Sequence, residues 1–598
     1  MRILKSERFE SAEFSDNERF FIELWYSLTH SKSLDTYRVK CMNSRTLIRE
    51  LSQEIQIGLI KSNGLQCLCD ESNECLENDP IISIHFNILY NRIKPYLIEQ
   101  PQPDKEKDEK RKKELEDKKR DFLYLSKDFS VDLERRYWEC LSFELLPAIV
   151  SGDKKNIKTL VVSLLSDLID KGWPIETLFK WHEHFLSDKN TSKYTFEKNL
   201  HFMFRYFSNK SQEFEVTLRL MGSNKLVELG SYGDFIFTNN PCNIAAKASK
   251  KFTKYNDYIC FTQIKLSDSD FLSAAINAKE SFEQFVDLLR FDFEPSTLKI
   301  DQVCHVRRLV DDKVELPIVK TIVPNPNEDI NHSDFKSFIH DLITVSKKPV
   351  IEESSNRKIR GSIRQYRFGR DSDNFKDKFL NWWMGLETMC HIGRGDGIGE
   401  IVSHNVTMVM VLPYLHRLLL DTIATVKYAE IDWHQDLKSI CSGKELDEIT
   451  VDDLLEIIHS QGHRDILLES CKKSELMYYR CDELFNIFRN PDNLVKKIKT
   501  HHNHLLWHLS RLYRIRCCIV HGSDIRFRLS LFTANLEFYL KQATKFVLTI
   551  FSSNDHILNL EEIYSRTTLC YNKTIADLSN ASAGKQEIRN AVFASITN

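Results

Sequence analysis

Near its C-terminal end the chain reads Arg511-Leu-Tyr513-Arg514-Ile-Arg516-Cys517-Cys518-Ile-Val-His521-Gly522. Arg516 and His521 are the side chains in this run that could do chemistry. A guanidinium is permanently charged and offers phosphate a rigid fork of N–H donors. An imidazole gives or takes a proton near neutral pH. Together they supply what metal-free cleavage of RNA requires. A base removes the proton of the 2′-hydroxyl, and a cation steadies the charge that builds on the phosphorane. DNA has no 2′-hydroxyl and is not cut by this route. One histidine cannot easily serve both sides of an in-line displacement, so a second copy of the chain is expected to supply the other. The structural alternative is simple. A histidine at a helix C-terminus is favourable for electrostatic reasons alone, and Arg-x4-His is a common spacing by chance.

Local charge agrees with phosphate contact. Eight basic residues fall between Lys496 and Arg528, namely Lys496, Lys497, Lys499, Arg511, Arg514, Arg516, Arg526 and Arg528, against Asp524 alone. The formal net charge over 598 residues is only -3, so any nucleic-acid argument must be local. Charge density by itself equally describes a solvated helix face.

Other constellations are weaker. His504 and His508 stand four apart beside His501 and His502, but no Glu lies between them and no third ligand follows. Cys67, Cys69 and Cys75 lack finger spacing. The glycine-rich run Gly393–Gly399 follows a helix and lacks the Gly-Lys-Ser/Thr ending of a phosphate loop, so it reads as a connection. Neither a metal nor a cofactor is expected. Glu387 and His391 are four apart, the spacing of an intrahelical pair. Glu387 could alternatively orient Arg516 or His521 across a core.

The elements that must position these residues are mostly helices. Residues 1–100 carry apolar positions at helical spacing, with Phe20, Phe21, Leu24, Trp25 and Leu28 as the clearest stripe. Pro101 and Pro103 end that pattern, and the charged run Asp104–Arg120 reads as an exposed helix or a disordered connector. Residues 121–210 are again helical, with Leu160, Leu164, Leu165 and Leu168 on one face. The period then changes to two. Strands are expected at Phe214–Leu220, Lys225–Leu229, Asp234–Phe237, Tyr258–Leu266, Val303–Val310 and Glu315–Val323. Ser267 or Asp268 should cap a helix bearing Phe271, Ala274, Ala278, Phe282, Phe285 and Leu289. From Asp334 onward helices return: Phe335–Val345, Ser354–Tyr366, Asn374–Ile392, Ile401–Tyr428, Val451–His459, Ser474–Phe488, Leu494–Val520 and Leu529–Phe551.

The expected architecture is therefore mainly α and multidomain. An N-terminal helical region with its charged linker (1–120) leads into a helical segment (121–210). A small α+β module (211–333), a helical bundle (334–555) and a C-terminal tail (556–598) follow. Fifteen cysteines without framework spacing suit a reducing compartment. The run Val406–Leu420 is too short and too polar for a membrane span. The N-terminus is not a secretory signal, so the cytoplasm is the expected location.

The string Leu512–Gly522, the helix Asn374–Glu387 ending in Leu-Glu, and the preceding helix Arg357–Tyr366 resemble the HEPN superfamily, in particular its Apea-like branch, over roughly residues 350–555. That resemblance implies a HEPN-like helical bundle and a homodimer with its cleft at the subunit interface. It implies a metal-independent endoribonuclease of bacterial anti-phage defence or toxin-like growth arrest. Arg516 and His521 would be catalytic, supported by Arg514, Cys517, Tyr513 and Glu387, and the other basic residues would bind RNA. The N-terminal region would sense a phage-derived trigger protein or restrain the nuclease. One departure stands out: Cys517 occupies a position that is usually Asn, and a thiol is a weak donor. A non-catalytic HEPN scaffold that dimerises or binds RNA, and a ligand-sensing signalling protein, are the rival expectations.

Overall fold

The computed structural model describes residues 3–9, 13–30, 42–58, 62–101, 108–208, 211–221, 225–239, 252, 260–293, 298–319, 332–372, 374–393, 397–522 and 529–594. These are mainly helical, with one small antiparallel sheet. The chain divides into two compact units. The first comprises Met1–Asp167, His182–Phe196 and Pro324–Asn598, and the second Leu168–Trp181 with Glu197–Val323.

The helices before the sheet are α1 (Asp16–Thr29), α2 (Ser44–Ile57), α3 (Ser62–Glu77), α4 (Pro80–His85), α5 (Asn87–Ile98), α6 (Glu109–Ser151), α7 (Lys154–Asp170), α8 (Ile175–Leu186), α9 (Asp188–Thr191) and α10 (Phe196–Phe207). Local chemistry explains their starts. Ser15 and Glu18 form a reciprocal capping box at α1, and Asn43 with Thr46 does the same at α2. The expected stripe on α1 is buried throughout. The expected boundary at residue 120 falls inside α6, whose exposed charged first turns run without a break into a buried second half. Residues 104–107 of that charged run lie outside the described residues.

The second unit holds the sheet. Its strands are β1 (Gln212–Met221), β2 (Ser231–Tyr232), β3 (Phe235–Thr238), β4 (Cys260–Asp268), β5 (Lys299–Arg308) and β6 (Val314–Glu315), in the order β2-β3-β4-β1-β5-β6. Central β1 pairs with β4 and β5 on either side, placing Gln263, Thr217 and His305 in one row. The expected strand at Lys225–Leu229 is instead a single helical turn, α11 (Lys225–Glu228). Its Leu226 is seated in the apolar core, and the turn at Gly230 leaves no length for a ladder. Strand β6 is shorter than expected, continuing only as a bridge between Ile318 and Val303, and residues 320–323 lie outside the described residues. The helix α12 (Phe271–Phe293) buries Phe271, Ala274, Ala278, Phe282 and Phe285 against the sheet. The side chain of Leu289 lies outside the described residues. The cap is Asp270, neither Ser267 nor Asp268: its carboxylate accepts from the Ser273 N–H at 2.6 Å.

The remaining helices belong to the first unit. They are α13 (His332–Lys347), α14 (Glu353–Asp371), α15 (Phe375–Cys390), α16 (Ile398–Val411), α17 (Tyr414–Tyr428), α18 (Gln435–Ile440), α19 (Val451–His459), α20 (Gln461–Cys471), α21 (Glu475–Phe488), α22 (Pro491–Val520), α23 (Leu529–Ser553), α24 (Leu560–Leu578) and α25 (Lys585–Val592). The expected single helix Ile401–Tyr428 is two, α16 and α17, bent by 49° where Pro413 interrupts the backbone ladder. Among the described residues no single helix is long and apolar enough to cross a membrane. The expected tail at 556–598 contains α24 and α25. Tyr564 and Ile563 of α24 are buried, and the Tyr564 hydroxyl donates to the Met389 carbonyl at 3.2 Å.

Distant parts of the sequence meet inside the first unit. Glu23 of α1 is buried at the start of α21, where its carboxylate accepts from the Ser474 hydroxyl and the Leu476 N–H, each at 2.8 Å. Lys154 pairs with Glu475 at 2.6 Å and Lys158 with Glu483 at 2.8 Å. Burial pushes the Glu23 carboxyl up from 4.5 to about 7, against the pull of those two donors and of Arg19. The sign of the pH effect follows. Between 4.5 and about 7 the unfolded chain has released this proton and the folded chain still holds it, so stability falls as pH rises through that window. Glu23→Gln keeps an oxygen acceptor and removes the titration. Its melting temperature is expected to exceed that of the wild type by a margin that widens from pH 5 to pH 8. A constant margin in scanning fluorimetry across that range would contradict this.

Candidate functional site

The sequence motif lies at the end of α22. Asn490 caps the start of this helix through the Asp492 N–H at 2.9 Å, and Pro491 occupies the first turn, where its missing N–H costs nothing. The other end closes at His521, whose N–H donates to the Cys517 carbonyl at 2.9 Å. Gly522 follows with φ +68°, a left-handed conformation that stops the helix. The His521 side chain is exposed.

One face of α22 meets α15 and α16. The Tyr513 ring lies against Gly399, where any Cβ would clash with the ring carbons, and its centroid is 5.6 Å from that of Trp383. Trp383 donates its indole N–H to Glu387 at 3.2 Å. Arg516 stands 3.9 Å from the same carboxylate, longer than a hydrogen bond, with about a quarter of its side chain (26 %) still exposed. Thus Glu387 reaches across to Arg516. Burial pushes the Tyr513 hydroxyl up, as does its hydrogen bond with Cys517, while Arg516 opposes the shift.

The adjacent face is closed by α2 and α3. Arg511 is 1 % exposed, bonding Glu50 through Nε at 2.9 Å and Glu71 through its two terminal nitrogens at 3.0 and 2.5 Å. Arg514 donates to the second oxygen of Glu50 at 2.6 Å. Burial drives the Glu50 carboxyl up, but the two guanidiniums outweigh it and hold it below its ordinary value. The two acids in turn hold Arg511 charged despite its burial.

The expected phosphate-binding set is therefore not one patch. Arg511 is removed from solvent and neutralised, so its assignment to RNA binding is corrected. Arg514 is ion-paired and mostly buried. Lys496 and Lys499 are exposed and Lys497 is half-buried, but about 20 residues of helix at 1.5 Å each put Lys496 roughly 30 Å from Arg516. Arg526 and Arg528 lie outside the described residues. Arg516 and His521 do not share a face either. Five residues turn an α-helix by about 500°, leaving the two side chains roughly 140° apart around the axis.

The histidines also diverge. His504 bonds Glu74 at 2.7 Å, whereas buried His508 bonds the Tyr539 hydroxyl at 2.8 Å and is driven down to about 3 by burial and by Arg511. No cluster of metal-binding side chains occurs among the described residues. Of the glycine-rich connection, residues 394–396 lie outside the described residues.

No family model, curated protein or solved structure matches the chain.

The buried ion network gives a stability prediction. Removing the cation while leaving its acids in place strands uncompensated charge in a water-poor site. Arg511→Ala is expected to lower the unfolding free energy by about 3–5 kcal/mol, read as a shift of the urea midpoint. A loss within the scatter of surface substitutions would show that the network contributes little.

Proposed function

We propose that the chain is a metal-independent endoribonuclease with a HEPN-like helical domain, in which Arg516 and His521 carry the reaction. The observation that carries this reading is the state of the pair at the end of α22. Arg516 remains partly exposed beside Glu387, and His521 is exposed, whereas the neighbouring Arg511 and Arg514 on the same helix are spent on internal carboxylates.

In the proposed step one imidazole accepts the 2′-hydroxyl proton as that oxygen attacks phosphorus. A second imidazole, protonated, donates to the departing 5′-oxygen. The guanidinium holds the non-bridging oxygens of the phosphorane. The products are a 2′,3′-cyclic phosphate and a 5′-hydroxyl. Because Arg516 and His521 of one chain project about 140° apart, this reading requires a homodimer in which each subunit completes the other's site. Glu387 acts as a positioning residue for Arg516. The chain would work in the bacterial cytoplasm, in anti-phage defence or toxin-like growth arrest. The helices α2 and α3 would restrain the motif helix until a phage-derived trigger protein displaces them.

A second reading is favoured by one observation. Cys517 is hydrogen-bonded with Tyr513, which ties its thiol up where a polar amide is expected to serve phosphate. Under that reading the domain is a non-catalytic scaffold that dimerises or binds RNA.

Purified wild-type chain incubated with total RNA in EDTA is expected to give fragments with cyclic phosphate and 5′-hydroxyl ends. His521→Ala and Arg516→Ala should each slow cleavage by about 10²-fold or more. Unchanged cleavage in both variants, or cleavage that needs a divalent metal, defeats the catalytic assignment.

A further inference from the structure

The helix α14 carries a row of arginines that the motif does not use. Between Ser354 and Arg370 the sequence holds Arg357, Lys358, Arg360, Arg364, Arg367 and Arg370, and no acid. Steps of three and four residues place these arginines along one side of a helix. All five are exposed, while Ser355, Ile359, Ser362 and Gly369 face inward. Arg357, Arg360, Arg364 and Arg367 lie opposite that buried stripe. The row from Arg357 to Arg370 spans 13 steps of about 1.5 Å, so roughly 20 Å.

Apart from Arg370, which hydrogen-bonds Tyr366, its charge is little satisfied within the fold. Arg357 meets Glu353 at 3.6 Å in a highly exposed pair of little strength. Arg360 and Arg364 have no ion-pair partner among the described residues, and Arg367 lies over the ring of Phe368, 5.2 Å from its centroid. Successive like charges three or four apart repel and weaken a helix by about 0.2–0.5 kcal/mol per pair. Elsewhere in this unit two buried arginines are neutralised: Arg45 takes Asp167 and Glu134, and Arg511 takes Glu50 and Glu71. Here it leaves the row open to solvent, with Phe368 exposed at its end.

We propose that this face of α14 is a docking track for single-stranded RNA. The arginine row would follow the phosphates and Phe368 would stack on a base. Arginine suits this better than lysine, because its planar fork pairs bidentately with phosphate and its face stacks. An exposed aromatic beside the row is the mark of a single-strand binder. The helix carries no apolar stripe on this face that would bury in a lipid bilayer. The track lies on the helix paired with α15, which presents Glu387 to Arg516. Gly361 of α14 sits against the Thr388 side chain, one residue from Glu387. Bound RNA would therefore run along the solvent side of α14, whose opposite side packs on the element that positions the proposed catalytic arginine. The inference deepens the ribonuclease reading and rests on RNA being the substrate.

Binding and cleavage separate the two. In a His521→Ala background, a labelled single-stranded oligouridylate is titrated at several salt concentrations. Arg360→Gln, Arg364→Gln and Arg367→Gln together should reduce the slope of log affinity against log salt by about 2, at about 0.7 per lost phosphate contact. Affinity at low salt should fall about tenfold or more. Phe368→Ala should bind at least about fivefold more weakly with its salt slope unchanged. The triple variant should melt no lower than its parent, since it removes repulsion. Unchanged affinity and slope in the triple variant overturn the track, as does binding of phosphatidylserine vesicles through the row in place of RNA. No loss in Phe368→Ala overturns the single-strand assignment. Row-dependent binding without cleavage by the wild type would keep the track and defeat the nuclease. Cleavage indifferent to the row would do the reverse.

Discussion

The orientation of α22 depends on one buried ion cluster. Arg511 cannot leave Glu50 and Glu71 without stranding charge away from water, and Arg514 ties the second oxygen of Glu50 to the same helix. This fixes the rotation of α22 about its axis. With position 511 turned toward α2 and α3, the helical repeat directs position 516 roughly 140° away, toward α15 and Glu387. The apolar side of the helix, Leu505, Leu509, Leu512 and Ile515, supplies burial but little rotational specificity, because leucines tolerate small slips. A two-acid, two-guanidinium cluster with bidentate geometry tolerates none. Gly399 adds a steric stop on the opposite side, since the Tyr513 ring occupies the space a side chain would need.

Local periodicity carried much of the fold. The helices α1 and α23 were legible because their large apolar residues recur every three or four positions, although each is buried on nearly all sides over a run of consecutive residues, Phe20–Trp25 and Leu531–Glu537. The break at Pro413 was not, because the apolar pattern runs across it and hides a single missing N–H. The turn of helix at Lys225–Glu228 mimics alternation over four residues, too few to separate a period of two from one of 3.6. The site was legible in its residue types and opaque in its geometry. Density of charge along a sequence is not density in space, so the described part of the basic run, from Lys496 to Arg516, is scattered along a helix and into an internal network. The decisive partners of Arg511, Glu50 and Glu71, lie 461 and 440 residues away. The row on α14 was visible as letters all along, but its meaning needs the buried face of that helix to be known first.

The near-zero net charge conceals two opposite uses of arginine. In the first unit Arg45 and Arg511 are interior cations, each held by two carboxylates. In the second unit Arg219 is buried between the Phe252 carbonyl and Asp301. Such residues set which helices and strands can pair, since a mismatched partner leaves charge in the interior. The arginines of α14 do nothing of this kind. Their mutual repulsion opposes the folded helix, and it is tolerated because α14 packs its other face against α15. A polyanion is the natural complement of such a surface.

On the proposed ribonuclease reading, any release of a restraint at α22 must obey the same electrostatics. Moving α2 and α3 away would leave Arg511 and Arg514 without Glu50 and Glu71. It would also expose the apolar positions that pack beside them. A trigger can shift that balance only by the difference in its affinity for the closed and open forms. A weakly discriminating ligand therefore leaves the closed form dominant. A partner that presents its own carboxylates or phosphates to Arg511 and Arg514 lowers the cost directly, because it replaces the lost counter-charges. RNA itself carries such groups. Once α2 and α3 are displaced, Arg511 and Arg514 would join Arg516 in a group that has lost the counter-charges of Glu50 and Glu71. On that proposed reading, opening would favour RNA binding, and by reciprocity bound RNA would favour the open form.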